Sequence, residues 1–134
     1  MDSEIANNLR SLLSAAQAAE LRHSEARDAR RAAWAAVRST GSVVLQSWEQ
    51  FAGESAREDD LAVVMAVVAA LRADKAVAAS RSERDAAANQ LLDAWWDLAD
   101  EARADLPDDI DDAIRNIDAD FMAEMIDDAI SVPS

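Results

Sequence analysis

Apolar and small residues recur along the start of the chain at alternating steps of four and three. Ile5, Leu9, Leu12, Ala16, Ala19, Ala26, Ala33 and Val37 fall on one series, and His23 and Arg30 fill its two gaps. A period of 3.5 residues marks a helix with one seam turned toward a neighbouring helix. The spacing predicts a helix over 3–39, about 55 Å long at 1.5 Å per residue. Ser39-Thr40-Gly41 is its expected stop, because Gly is the common residue just past a helix end. Alanine along the seam lets another backbone approach closely, so tight antiparallel packing is expected.

A short second helix over 42–52 follows, capped by Ser42 and carrying Val44, Trp48 and Phe51 on one face. After a polar loop, Asp59 or Asp60 can cap a third helix over 60–79. It opens with Leu61-Ala62-Val63-Val64-Met65-Ala66-Val67-Val68-Ala69-Ala70-Leu71, which is apolar all round and so reads as the central buried element. Its predicted seam is Leu61, Val64, Val68, Leu71, Lys75, Ala78 and Ser82. A later set of Ala88, Leu92, Trp95, Ala99, Ala102 and Leu106 is out of phase with it by one residue. Ser80 followed by Glu83 fits a capping box, so the pattern predicts either a break near Ser80 or one long helix with a stutter. That segment, 81–105, ends at Leu106-Pro107-Asp108. A last helix over 108–130 carries the stripe Ile110, Ile114, Ile117, Phe121, Met125 and Ala129. The expected fold is therefore all-α: one domain over 1–134, a bundle of four or five helices built on two long antiparallel helices with an Ala-rich seam.

Two Gly, two Pro and no Cys agree with a helical chain and exclude disulfides and thiolate metal sites. The N-terminus, Met1-Asp2-Ser3-Glu4, is acidic and polar, unlike a secretory signal. The longest apolar run, Leu61 to Leu71, is well short of the roughly 20 residues that span a bilayer. The expected setting is cytoplasmic, with no membrane contact. Charge changes the picture more. Residues 1–84 hold twelve acids and eleven bases, whereas residues 85–134 hold fifteen acids and only Arg103 and Arg115. Nearly all of the net charge of −14 therefore belongs to the last third. Adaptation to high salt would spread acid over every exposed face, so the imbalance points instead to a local role.

Asp93, Asp97, Glu101 and Asp105 step by four, which on one helix makes a column of like charge. Each such pair costs about 0.2–0.5 kcal/mol in an isolated helix, and the later ones sit at the C-terminus, where the helix dipole disfavours anions. Asp120, Glu124, Asp127 and Asp128 crowd the same end of the last helix. Acids repeating at about 6 Å approach the charge density of a nucleic-acid backbone. Trp95 and Trp96 point about 100° apart on a helix, so one can be buried while the other anchors an interface. The candidate partner-binding set is Asp93, Trp96, Asp97, Asp100, Glu101, Asp105, Asp109, Asp112, Asp120, Glu124 and Asp128. The expected partner is a basic protein surface, such as that of a nuclease or a nucleic-acid-binding protein, with no direct contact to nucleic acid.

No catalytic motif is present, and no cofactor is expected. Glu20-Leu21-Arg22-His23 fits one half of a carboxylate-bridged di-iron motif, but His23 is the only histidine. It reads as a seam residue with a local partner. Asp118-Ala119-Asp120 starts like a calcium loop without its Gly or closing Glu. The stretch from Ser47 to Arg57 loosely resembles a helix-turn-helix, with Arg27, Arg30, Arg31 and Arg38 nearby for phosphate. Glu54, Glu58, Asp59 and Asp60 would then lie beside the DNA. In size and charge the chain is similar to phage anti-restriction and anti-CRISPR inhibitors, and to immunity proteins and antitoxins that cover nucleases. That similarity is one of composition, and no family motif accompanies it. It implies a non-enzymatic inhibitor. The alternative is a structural or scaffolding bundle that self-associates, as a possible homodimer, with acid serving only solubility.

Overall fold

The computed structural model describes the backbone of residues 3–50 and 55–131, and the side chains of residues 4–42, 60–127 and Ile130. The fold is all-α. Among the described residues four helices follow in order: α1 (Ser3–Gln50), α2 (Ser55–Trp96), α3 (Asp100–Ala104) and α4 (Asp108–Ser131). The two long helices, α1 and α2, pack against each other. Two compact units are built from them: one of residues 1–20 with 83–134, the other of residues 21–82.

The second unit is an antiparallel helical pair. His23 meets Ser80 and Trp34 meets Asp74, so the partner's number falls as the α1 number rises. The Nδ1 of His23 lies 2.9 Å from the Ser80 hydroxyl oxygen, whose own proton goes to the Val77 carbonyl at 3.0 Å. The hydroxyl is thus left as an acceptor, and His23 donates from Nδ1. His23 is buried on the seam, as its place in the heptad series suggested. Trp34, half-buried, donates its indole N–H to Asp74 at 2.9 Å.

The α1 seam follows the predicted series closely from Ala16 on, through Ala19, His23 and the half-buried Ala26, Ala33 and Val37. Only Arg30 turns outward. In the first turns the fully buried residues are Ala6 and Leu13 as well as Leu9, while Ile5 and Leu12 are half-buried. A second neighbour in that unit widens the covered face.

On α2 the seam differs from the expected one. The residues turned inward in the second unit are Val63, Ala66, Ala70, Ala73, Val77 and Ser80, in unbroken steps of three and four. Leu61, Val64, Val68 and Leu71 are exposed. The Ala-rich face of α2 meets the Ala-rich face of α1, because small side chains permit the closest approach of two backbones; the larger aliphatics are rotated away. The helix also passes through Ser80 without a break. Ser80 back-bonds within α2 and does not cap a new helix. The phase change after it reflects a broader buried face, Ala88, Leu92 and Trp95 beside Arg84 and Leu91, in the unit that also contains α4.

Two further boundaries move. The stop expected at residues 39–41 does not occur, since α1 continues to Gln50. Thr40 and Ser42 donate their hydroxyl protons to the carbonyls of Ala36 and Arg38, four residues back, and no glycine adopts a positive φ among the described residues. The start of α2 lies at Ser55 rather than at Asp59 or Asp60. Phe51 and Gly53 lie outside the described residues, as do the side chains of Val44 and Trp48. Nothing lies within 4 Å of a Cβ built on Gly41. Gly41→Ala therefore raises stability by about 0.5–1 kcal/mol, the ordinary gain from removing a helix-interior glycine. Urea denaturation followed by circular dichroism measures it. A loss of stability would mean that the chain needs a left-handed glycine there, as at a helix end.

Candidate functional site: the acidic unit and its tryptophan–arginine cluster

The unit made of residues 1–20 and 83–134 is held by Leu9, Leu13 and Ala16 of α1, Leu91, Leu92 and Trp95 of α2, and Leu106, Ile110 and Ile114. Leu91 and Ile114 are wholly buried. Pro107 starts α4: its carbonyl accepts from the N–H groups of Ile110 and Asp111 at 3.1 Å. Proline suits the mouth of a helix because its missing N–H would have no partner there. Asp108, Asp109 and Asp111 fill the first turn, where the dipole favours anions.

The expected continuous helix to residue 105 is interrupted. α2 ends at Trp96, Ala99 is extended, and α3 takes up only Asp100–Ala104. No glycine or proline forces this. The break moves Asp100 and Glu101 from the unfavourable C-terminal end of one helix to the first turn of another. As a result Asp93, Asp97, Glu101 and Asp105 do not form one column on one helix. They remain exposed all the same, together with Asp100, Asp109, Asp112 and Asp120. Glu124 is engaged differently: it accepts from Arg84 at 2.7 Å. The side chain of Asp128 lies outside the described residues.

Arg84 is the ionic centre of this unit. Its guanidinium is almost fully buried and pairs with Asp85 at 3.0 Å, with Glu124 of α4 at 2.7 Å and with Glu20 of α1 at 3.7 Å. Burial acts to lower its pKa, but the hydrogen bonds and charges of Glu124 and Asp85 outweigh it and hold the group above its ordinary value. Arg84→Met removes a cation that three carboxylates share, so about 1–3 kcal/mol is lost, less than for a fully buried pair because Glu20 and Glu124 reach water. Thermal unfolding of the variant checks this. An unchanged midpoint would show that the three-helix link is dispensable.

The adjacent tryptophans divide as helical geometry suggested. Trp95 is 3 % exposed and Trp96 57 %. Their rings meet edge to face, with centroids 4.7 Å apart. Arg103 lies over both, 5.3 Å from the centre of Trp95 and 5.2 Å from that of Trp96, and Arg115 lies 5.3 Å from Trp95. Arg103 also donates to Asp100, and Arg115 to Asp111 at 2.8 Å. These residues line a cleft of about 390 Å³. Trp95 Nε1, Arg103 Nη1 and Asp111 Oδ1 are buried without a hydrogen-bond partner from the protein, and all three residues border it.

Arg103 and Arg115 are the only bases after Arg84. Both are drawn onto the tryptophan pair. This clustering was not visible in the sequence, where they sit seven and nineteen residues beyond Trp96 among acids. Only the turn at residues 97–99 and the reversal at Pro107 bring them together.

Charge separates along the unit boundary. The acidic unit holds nineteen acids and four bases, a net of −15, while residues 21–82 hold eight acids and nine bases, a net of +1. The arginines proposed for phosphate contact in the helix-turn-helix reading, Arg27, Arg30, Arg31 and Arg38, are exposed on α1, and Arg31 pairs with Asp28 at 3.5 Å. The turn of that motif falls within residues 51–54, outside the described residues. Glu20 and His23 are turned to separate partners, Arg84 and Ser80. Among the described residues no group of three or more His, Asp or Glu side chains is placed to hold a metal ion, and no helix is long and apolar enough to cross a membrane. No family model, curated protein or solved structure matches this chain.

Proposed function

We propose that the chain is a non-enzymatic acidic protein that binds a basic protein surface and blocks it, the partner being a protein that handles nucleic acid. The observation that carries this reading is the placement of Arg103 and Arg115. Arg103 and Arg115 lie against the tryptophans and are paired with Asp100 and Asp111, while Asp93, Asp97, Glu101, Asp105, Asp109 and Asp112 are exposed. A face of this kind repels phosphate and attracts lysine and arginine, and its field steers a basic partner toward it. Trp96, more than half exposed within the acidic field, supplies the apolar anchor that a charge-only surface lacks.

The decisive experiment immobilises the wild-type chain and a variant with Asp93, Asp97, Glu101 and Asp105 changed to Ser. Basic proteins are captured from a lysate in each case and identified by mass spectrometry. Capture by the wild type is lost in the variant, whose helicity is unchanged, and duplex DNA competes for it. It also falls between 0.05 and 0.5 M salt as the screening length drops from over 10 Å to about 4 Å. Equal capture by both chains would remove the acid from the binding surface and leave it a solubilising role.

Direct binding of nucleic acid is not expected. Fluorescence anisotropy with mixed duplex and single-stranded oligonucleotides near 150 mM salt should show no micromolar association, since phosphates meet a net of −15 on one unit and only +1 on the other. Binding that disappears when Arg30, Arg31 and Arg38 become Ala would replace the inhibitor reading by a DNA-binding one.

A further inference from the structure

Leu61, Val64, Met65, Val68 and Leu71 form an exposed stripe on α2, on the side turned away from its seam with α1. Their exposures run from 40 % to 64 %, which leaves on the order of 500 Å² of apolar surface in water, the size of patch that marks an interaction site. We infer that this stripe is the interface of a homodimer in which α2 of one copy packs antiparallel on α2 of the other, joining two helical pairs into a four-helix arrangement. The proposal does not depend on the acidic face, which lies in the other unit.

Three observations select a second copy as the occupant. The first is the order of side chains: Leu61, Val64, Val68 and Leu71 read the same from either end about residue 66. A two-fold axis there sets Leu61 opposite Leu71 and Val64 opposite Val68, so these layers pair identical side chains, with Met65 beside the axis opposite Val67. Such self-complementarity is the condition for an isologous interface. The second is charge. Residues 21–82 carry a net of only +1, so two copies meet there without the repulsion that the −15 of the other unit would impose, and no excess acid is present to draw a basic partner. The third is area. Two copies remove on the order of 1,000 Å² from water, the lower bound for a specific interface.

Sedimentation velocity on the full chain, from 1 to 200 µM, reads the result. The mass rises from 14.5 kDa toward twice that value, and association persists as salt rises from 0.05 to 0.5 M, because apolar burial is not screened. The basic-partner complex weakens over the same range, so the failure of one is not the failure of the other. Val64→Glu with Val68→Glu, at exposed positions, leaves the circular dichroism unchanged and weakens the dimer at least a hundredfold. The absence of native cysteine permits a geometric check. Met65→Cys, next to the axis, forms a disulfide-linked dimer on mild oxidation. Ala78→Cys does not, its two copies lying about 36 Å apart along antiparallel helices. A chain that stays monomeric at 200 µM in 0.5 M salt, a double glutamate variant that dimerises like the wild type, or equal cross-linking at both cysteines would each overturn the proposal. So would a monomer that instead floats with phosphatidylcholine vesicles, which would assign the stripe to a lipid surface.

Discussion

Leu91→Ala lowers the unfolding free energy by about 3–5 kcal/mol, the upper part of the range for a leucine with no room to relax. Leu91 has no exposed surface and sits in one cluster with Leu9, Leu13, Trp95, Ile110 and Ile114, so its removal leaves a cavity bordered by three helices. A shift of about 10–20 °C in the thermal midpoint is expected for a chain of this size. The informative control is Leu71→Ala. Leu71 is half exposed, and in dilute solution, where chains are monomeric, its loss costs under about 1 kcal/mol. The sequence pattern places Leu71 on the main seam and gives Leu91 no position on it. Equal losses for the two variants would show that the α2 face turned toward α1 is the one marked by the large aliphatics.

Trp95→Ala carries the second large effect, a loss of about 3–5 kcal/mol. Three contributions disappear together: the burial of a large ring, its edge-to-face contact with Trp96, and the π face under Arg103 and Arg115. The near-ultraviolet circular dichroism of the pair should collapse with it. Trp95→Phe separates the contributions. It keeps an aromatic face for both arginines and removes an indole N–H that has no partner in the protein, so most of the stability is retained. Trp96→Ala, at a mostly exposed ring, costs about 1 kcal/mol or less, and its expected effect is on the proposed partner binding instead. If Trp96→Ala were the more destabilising of the two, the division of the pair into a core ring and a surface ring would be reversed.

Local chemistry made much of this protein legible before any tertiary information. The heptad series from Ala16 to Val37, the lack of helix breakers and the Leu106-Pro107-Asp108 punctuation specify an all-α chain with two long helices and a separate last helix. These are properties of a residue and its near neighbours: period, propensity and a missing N–H. The charge imbalance is likewise a matter of counting, and so is the split of Trp95 from Trp96, which follows from the 100° turn between adjacent helical positions.

What the sequence could not decide is which of several apolar faces meets which neighbour. Residues 61–71 are apolar around the whole helix, so periodicity alone does not distinguish the Ala66–Ala70–Ala73 face from the Leu61–Val64–Val68–Leu71 face; the small side chains on α1 made that choice. Gly41 and the residues at 97–99 show the same limit from opposite sides. A glycine expected to stop α1 is carried through by the flanking helix, while a stretch with neither Gly nor Pro is broken where Trp95 and Leu106 are both drawn into one core. The gathering of Arg103 and Arg115 on the tryptophans depends on that break and on the turn at Pro107. Helical period and charge count act within a few residues along the chain, whereas seam choice, core membership and the placement of the two arginines against the tryptophans are set by packing between segments far apart in sequence.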